Sequence, residues 1–186
     1  GDRSDYGSLP ELIQQPNSHM AKFNLGVLKN IGFSLAKQSM KGNKKAYYIL
    51  SDVDLLPSQG LIQDYLRYPE NPIHLANKGT RYNMDGKDRN FLGGVLSITD
   101  KDFEKANGYP NNFWGWGGED NALNYRLTQS KIKVEKPSEP VIDLEEISLR
   151  DKLAKLKRDK TKEMRKWEKL QEDKTTWKQN GLSDLK

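Results

Sequence analysis

Residues 111–127 read NNFWGWGGEDNALNYRL, and the character of the chain turns on them. Trp114 and Trp116 flank a single glycine; Gly117, Gly118, Glu119 and Asp120 follow, and the run then takes up helical spacing. Tryptophan offers a large flat apolar face with one N–H donor, and glycines let another molecule approach the backbone closely. That combination suits a sugar ring. The two acids stand near an expected helix N-terminus, where negative charge is favoured. Taken without the tryptophans, they read more readily as simple helix caps.

Upstream, FLGGVLSIT (91–99) is a strand candidate and DKDFEKANG (100–108) a short helix, with an acid at its N-cap position and Gly108 at its end. NPIHLANKG (71–79) reads as another strand, and KAYYILSDVDLLP (45–57) as a β-rich run closing in acids and proline. In KFNLGVLKNIGFSLAKQ (22–38), Phe23, Val27, Leu28, Ile31 and Leu35 recur at helical spacing and predict an amphipathic helix. ELIQQ (11–15) is a short strand candidate before a Pro-Asn break. Strands alternating with helices predict a layered α/β fold. From Leu144 onward Lys, Glu, Arg and Asp dominate, which predicts a peripheral helical tail or mobile segment over 144–178.

A chain of 186 residues suits one domain, and an apolar fraction of 34% implies a small core under much solvated surface. No apolar run is long enough to cross a bilayer and no signal-peptide pattern opens at Gly1, so the expectation is a chain without a membrane segment, any anchor lying outside it. The absence of cysteine excludes disulfides and points to a cytoplasmic bacterial or viral enzyme rather than an animal secretory lumen. Lys and Arg exceed Asp and Glu by 31 to 26; the excess is modest, much of it lies in the mixed-charge tail, and no nucleic-acid partner is expected.

In open α/β sheets ligands gather at the carboxyl ends of strands, and Asp52 and Asp54 sit where the apolar run Tyr47 to Leu50 stops. Carboxylates at i and i+2 can share a divalent cation and the phosphates it neutralises. Alone, an Asp-x-Asp is more often a solvated turn.

KFNLGVLKNIGF, YYILSDVDLLP, FLGGVLSITDKDFEKANGYPNNFWGWGGEDNALNYRL and WKQNGLSDL resemble, in this order, the catalytic domain of the β-1,4-galactosyltransferase family. The resemblance covers about residues 11–133 and the last dozen. It implies a Rossmann-like nucleotide-sugar glycosyltransferase fold of GT-A type, one catalytic domain over 1–186 with a charged helical tail. The implied activity is metal-dependent, inverting transfer of galactose from UDP-galactose to a terminal sugar of a glycan, N-acetylglucosamine by expectation, in β-1,4 linkage, with Mn²⁺ or Mg²⁺. An N-acetylgalactosaminyltransferase and a non-catalytic sugar-binding relic are the alternatives.

By the same resemblance Phe23, Asn24, Val53, Asp54, Phe91 and Trp116 are donor-binding, Trp116 belonging to a loop that closes over the donor. Gly118, Glu119, Asp120 and Asn121 form the acceptor side, Asp120 being the general base and Glu119 its catalytic neighbour. In the tail, Lys166, Trp167 and Leu170 fall on residues lining the acceptor's N-acetyl pocket. Three departures stand out. Leu25 replaces an arginine that touches the nucleotide. The Arg-containing loop that binds uridine, faintly echoed in DRSD (2–5), stands too close to the Phe-Asn element. The family's Met-x-x-His metal pair falls on Glu145 and Ser148, and no histidine follows His74. Glu145 or Glu146 can supply an oxygen in their place, though both also read as a solvated face; the expected metal set is Asp54, Asp52 and Glu145, an oxygen set that favours hard cations. His19 and His74 match no ligand and read as ordinary structural or surface residues.

Overall fold

The computed structural model describes residues 22–40, 42 and 45–185. The strand expected at 11–15, the DRSD segment and His19 lie outside them.

Helix α1 (Leu25–Ser39) starts at Asn24, whose Oδ1 accepts a hydrogen bond from Val27 N at 3.0 Å. Its buried residues are Gly26, Asn30 and Phe33, whereas Leu28, Ile31 and Leu35 of the expected apolar stripe are exposed. The reason is polar. The Asn30 amide donates to Tyr109 O and Asn111 Oδ1 at 2.8 and 3.0 Å and accepts from Tyr109 N at 2.9 Å. Gly26 permits the close approach, since a Cβ there would meet Pro110 O at 2.6 Å.

Strand β1 (Tyr47–Ser51) is followed by β2 (Leu55–Pro57), helix α2 (Ile62–Leu66), β3 (Ile73–His74), β4 (Val95–Thr99) and α3 (Asp100–Lys105). Helix α4 (Glu119–Gln129), β5 (Val141–Asp143), α5 (Leu149–Arg158) and α6 (Lys166–Thr176) complete the order. β4 is the centre of an antiparallel β1-β4-β3 sheet, with Tyr47 opposite Thr99 and Ile73 opposite Ser97. All five β4 residues are buried, so it reads as a continuous run rather than an alternation. β2 and β5 form a separate antiparallel ribbon. The strand expected over 71–79 shortens to two residues, and the N-cap of α3 is Thr99 rather than an acid; Thr99 Oγ1 accepts from Asp102 N at 3.2 Å.

The core has two parts. Phe33, Tyr48, Leu96, Ile98, Phe103 and Leu123 fill one, and Leu55, Leu61, Ile73, Leu75, Val95 and Val141 the other, so β4 supplies both.

The tail is less peripheral than its composition predicts. Much of the α5 and α6 surface is solvated, but Asp173 of α6 is 1% exposed and takes a bidentate pair from fully buried Arg126 of α4 at 2.5 and 3.0 Å. The remaining guanidinium donors reach Asn107 O, Gly108 O and Asn180 O at 3.2, 2.9 and 2.7 Å. Every direction of this buried charge is thereby compensated.

Candidate active site

A cleft of about 690 Å³ opens at the carboxyl end of β1. Asp52 N still bonds Gly94 O at 3.0 Å, after which the chain leaves the sheet; Val53 is fully exposed and Leu55 turns back into the core. Leu144 N donates to Asp54 O at 2.9 Å, extending the β2–β5 pairing and drawing the 143–145 segment against the strand end. Carboxylate oxygens of Asp54, Asp143 and Glu145 consequently lie within 4.8 Å of one another.

Of the three expected metal residues, Asp54 and Glu145 therefore meet. Asp52 does not join them: its Oδ1 is held 3.1 Å from Lys29 Nζ. Asp143 takes the third place. Arg81 reaches both oxygens of Asp143 at 2.6 and 3.1 Å and Glu145 at 3.1 Å, while Lys152 lies 2.7 Å from Glu145. Burial works against the Asp143 charge, but the Arg81 hydrogen bonds prevail and hold its carboxyl below the usual range.

Opposite this cluster stands the N-terminus of α4. Gly117 and Gly118 adopt φ of 104° and 109°, a region that disfavours side chains, and a Cβ on Gly118 would strike the Phe113 ring at 2.6 Å. The turn places Glu119 and Asp120 in the first helical turn and in the cleft. The Asp120 carboxylate packs on Gly93, where a Cβ would meet its Oδ2 at 2.9 Å and the Phe91 ring at 2.8 Å. Burial, then the charge of Asp120, pushes Glu119 up to about 7; burial also raises Asp120, against the pull of Lys166 and Lys29.

One wall is aromatic. Tyr82 lies 5.6 Å from Trp116 and 6.2 Å from Phe91, centroid to centroid, and Phe91 lies 5.4 Å from His74. His74 is structural, as expected: fully buried, with its Nε2 2.8 Å from Gly93 O. The backbone of Trp116 is stitched to the tail, its N–H donating to Thr161 O at 2.8 Å and its carbonyl accepting from Glu163 N at 3.0 Å. Buried Glu163 also accepts from Trp114 N at 3.1 Å and from Lys169 Nζ at 2.5 Å.

Phe23, Val53, Asp54, Phe91, Trp116, Asn121 and Lys166 line the cleft together with the acid pair. Asn24 does not: it is buried, capping α1 and donating to Asn111 O at 2.8 Å, so its amide is committed to the fold. Gly118 is buried beside Phe113, whereas Trp167 is 74% exposed, and neither Trp167 nor Leu170 lines the cleft. Lys29, Tyr82, Tyr109, Asp143 and Lys152 line it without having been singled out in the sequence. The only local signal for Lys29 is a charge inside an otherwise apolar helical run.

An α/β scaffold with strand-end acids, a sugar-sized cleft and a glycine-flanked tryptophan fits the GT-A class of glycosyltransferase catalytic domain. Comparison with known proteins narrows this. A family profile described as the N-terminal domain of galactosyltransferase matches residues 73–149. Rat beta-1,4-galactosyltransferase 6 is 40% identical over 115 residues, 62% of this chain and 29% of that protein. Beta-1,4-galactosyltransferase 4 of the hamster Cricetulus griseus is 32% identical over 184 residues, 96% of this chain and 48% of that protein. Among solved structures, the catalytic domain of Drosophila beta1,4galactosyltransferase 7 in complex with xylobiose is 26% identical with a TM-score of 0.52, covering 72% of this chain and 60% of that one. A mutant of the Drosophila protein, complexed with manganese, UDP-Gal and xylobiose, shares the fold at 22% identity and a TM-score of 0.56, covering 89% and 66%. The chain belongs to the β-1,4-galactosyltransferase family. It spans about half the length of the hamster relative and under a third of the rat one.

Proposed function

We propose that residues of this chain form the catalytic cleft of an inverting, metal-dependent galactosyltransferase that moves galactose from UDP-galactose to a hydroxyl of a glycan's terminal sugar. The observation that carries the reading is the placement, in one cleft, of the Asp54–Asp143–Glu145 cluster and the Glu119–Asp120 pair. Three converging carboxylates with no nitrogen or sulfur donor fit a hard cation such as Mn²⁺ or Mg²⁺. When bound there, the cation would offset charge developing on the leaving diphosphate.

The chain's own residues do the rest. Asp120, held by Gly93 beside the Phe91 ring, takes the proton from the attacking acceptor hydroxyl. Glu119, one residue earlier in the same helical turn, binds sugar hydroxyls. Trp116 and Phe91 cover the donor sugar, and Val53, fully exposed at the cleft, meets the nucleotide. The neighbouring complex with manganese, UDP-Gal and xylobiose supports the donor and cation. On the acceptor side, Lys166 is the one residue of the expected N-acetyl pocket that lines the cleft.

Isothermal titration of UDP with and without Mn²⁺ separates this from a binding relic. We expect metal-dependent binding that Asp54→Ala and Asp143→Ala each weaken severalfold; metal-independent or absent UDP binding favours the relic. Asp120→Asn should retain UDP binding and lose transfer by about 10²- to 10⁴-fold, the contribution of a positioned base. Transfer within about threefold of wild type removes Asp120 from that role.

A further inference from the structure

The carboxylates of Asp52, Asp54, Glu119 and Asp120 are among those that line the cleft with the aromatic wall. Such a concentration of like charge is costly in a half-closed space unless a cation is built in. Lys29 reaches into it from α1. Its side chain is 14% exposed, its Nζ lies 3.1 Å from Asp52 Oδ1 and 5.5 Å from the centre of the Tyr109 ring, and Tyr109 is itself buried. Of the other cleft lysines, Lys152 is spent on Glu145, whereas Lys166, in the first turn of α6, faces Asp120 alongside Lys29.

We propose that Lys29 is a positioning residue of the reaction centre, its ammonium fixing Asp52 and offsetting the charge that Asp52, Glu119 and Asp120 concentrate in the cleft. The proposal rests on the reading of Asp120 as base, for which Asp120 must be ionised. The groups facing that pair are Lys29 from α1, Asp52 at the end of β1, Tyr109 after α3, and Lys166 from α6. Burial drives both acids toward the protonated form, and Lys29 opposes it at each; Lys29 itself stays charged, burial being outweighed by its ion pair with Asp52. The ammonium therefore acts on the base through space while its hydrogen bond keeps the Asp52 carboxylate turned into the cleft. No short-range sequence pattern announces this, because Lys29 and the acid pair come from helices 90 residues apart in the chain.

Lys29→Gln keeps a hydrogen-bond donor to Asp52 while removing the charge. Its acid limb in the pH profile of kcat/KM should move upward by about one unit or more, and Lys29→Arg should restore the wild-type limb. A second readout needs no transfer: ¹³C-carboxyl NMR titration of metal-free protein, with Glu119 and Asp120 assigned through Glu119→Gln and Asp120→Asn. Both carboxyls should titrate higher in Lys29→Gln than in wild type. Lys29→Met, which fills the space of the lysine stem, takes the same test if the glutamine variant does not fold. Unchanged carboxyl titration in the folded variant overturns the proposal, whatever the transfer activity. A wild type that transfers no galactose, with the titration shift present, overturns the galactosyltransferase reading and leaves the charge role of Lys29 standing.

Discussion

At the scale of single residues, the proposed donor pocket turns on Phe91. Its ring is wedged between His74, Tyr82 and the bare α-carbon of Gly93, so bulk there is fixed by neighbours rather than by its own rotamer freedom. By the family resemblance this position gates the C2 substituent of the transferred sugar. Phenylalanine leaves little room and offers no hydroxyl to an acetamido group, which favours galactose. Phe91→Leu should raise N-acetylgalactosamine transfer relative to galactose by an amount worth roughly 1–3 kcal/mol of steric relief. Paired-donor assays at matched concentrations check it, and an unchanged ratio shows that Phe91 does not gate the pocket. Phe91, Trp116, Glu119 and Asp120 were legible in the sequence because each sits in a short, chemically unusual string. Asp143 was not: it lies 89 residues from Asp54, and only the β2–β5 pairing makes them neighbours.

At the scale of elements, α4 carries the acid pair at one end and the Arg126 lock at the other. Arg126 meets Asp173 of α6 with neither side chain exposed to water by more than 1%. Asp173→Ala leaves the guanidinium buried without its counter-charge and should destabilise the protein by about 3–5 kcal/mol. Urea unfolding measures this; a loss under about 1 kcal/mol means water replaces the carboxylate and the lock is not closed. Helices α1, α3 and α4 were foreseeable from periodicity and end signals, whereas α2 was not, and neither was the buried face of α1. For α1 the apolar stripe predicted one face, and Gly26 and Asn30 selected another through close approach and hydrogen bonding. Apolar periodicity weighs side-chain transfer and is blind to a buried amide whose bonds all lie in a distant loop. The tail misled for the same reason: its composition is that of a solvated surface, while Asp173 and Glu163 are buried by partners far away in the chain.

At the scale of the whole molecule, buried His74 and half-buried Glu119 oppose each other as pH changes. Burial lowers His74 from 6.5 to about 4, so the folded protein lacks a proton that the unfolded chain carries between those values, and stability is lost as pH falls through that window. Glu119 is raised from 4.5 to about 7, so the folded protein keeps a proton that the unfolded chain has released, and stability is lost as pH rises through that window. Between 4.5 and 6.5 the two slopes cancel. Glu119→Gln removes one of them. Relative to wild type, its denaturation midpoint should climb with pH across this interval, and parallel curves for the two proteins rule out a protonated Glu119 in the fold. The variant should also be the more stable protein near neutrality, at the cost of function.

The Arg126 lock also orders events during synthesis. Its carboxylate and the Asn180 carbonyl belong to the last segment of this sequence to leave a ribosome, whereas Arg126 emerges about fifty residues earlier. Until that segment arrives, α4 can dock only by burying a bare cation, so the helix bearing the acid pair stays undocked on a nascent chain. A chain broken off before Asp173 carries every motif by which this family is recognised in 91–127, yet lacks the counter-charge that seats them. Such fragments should be cleared by proteases rather than accumulate as half-formed sugar binders.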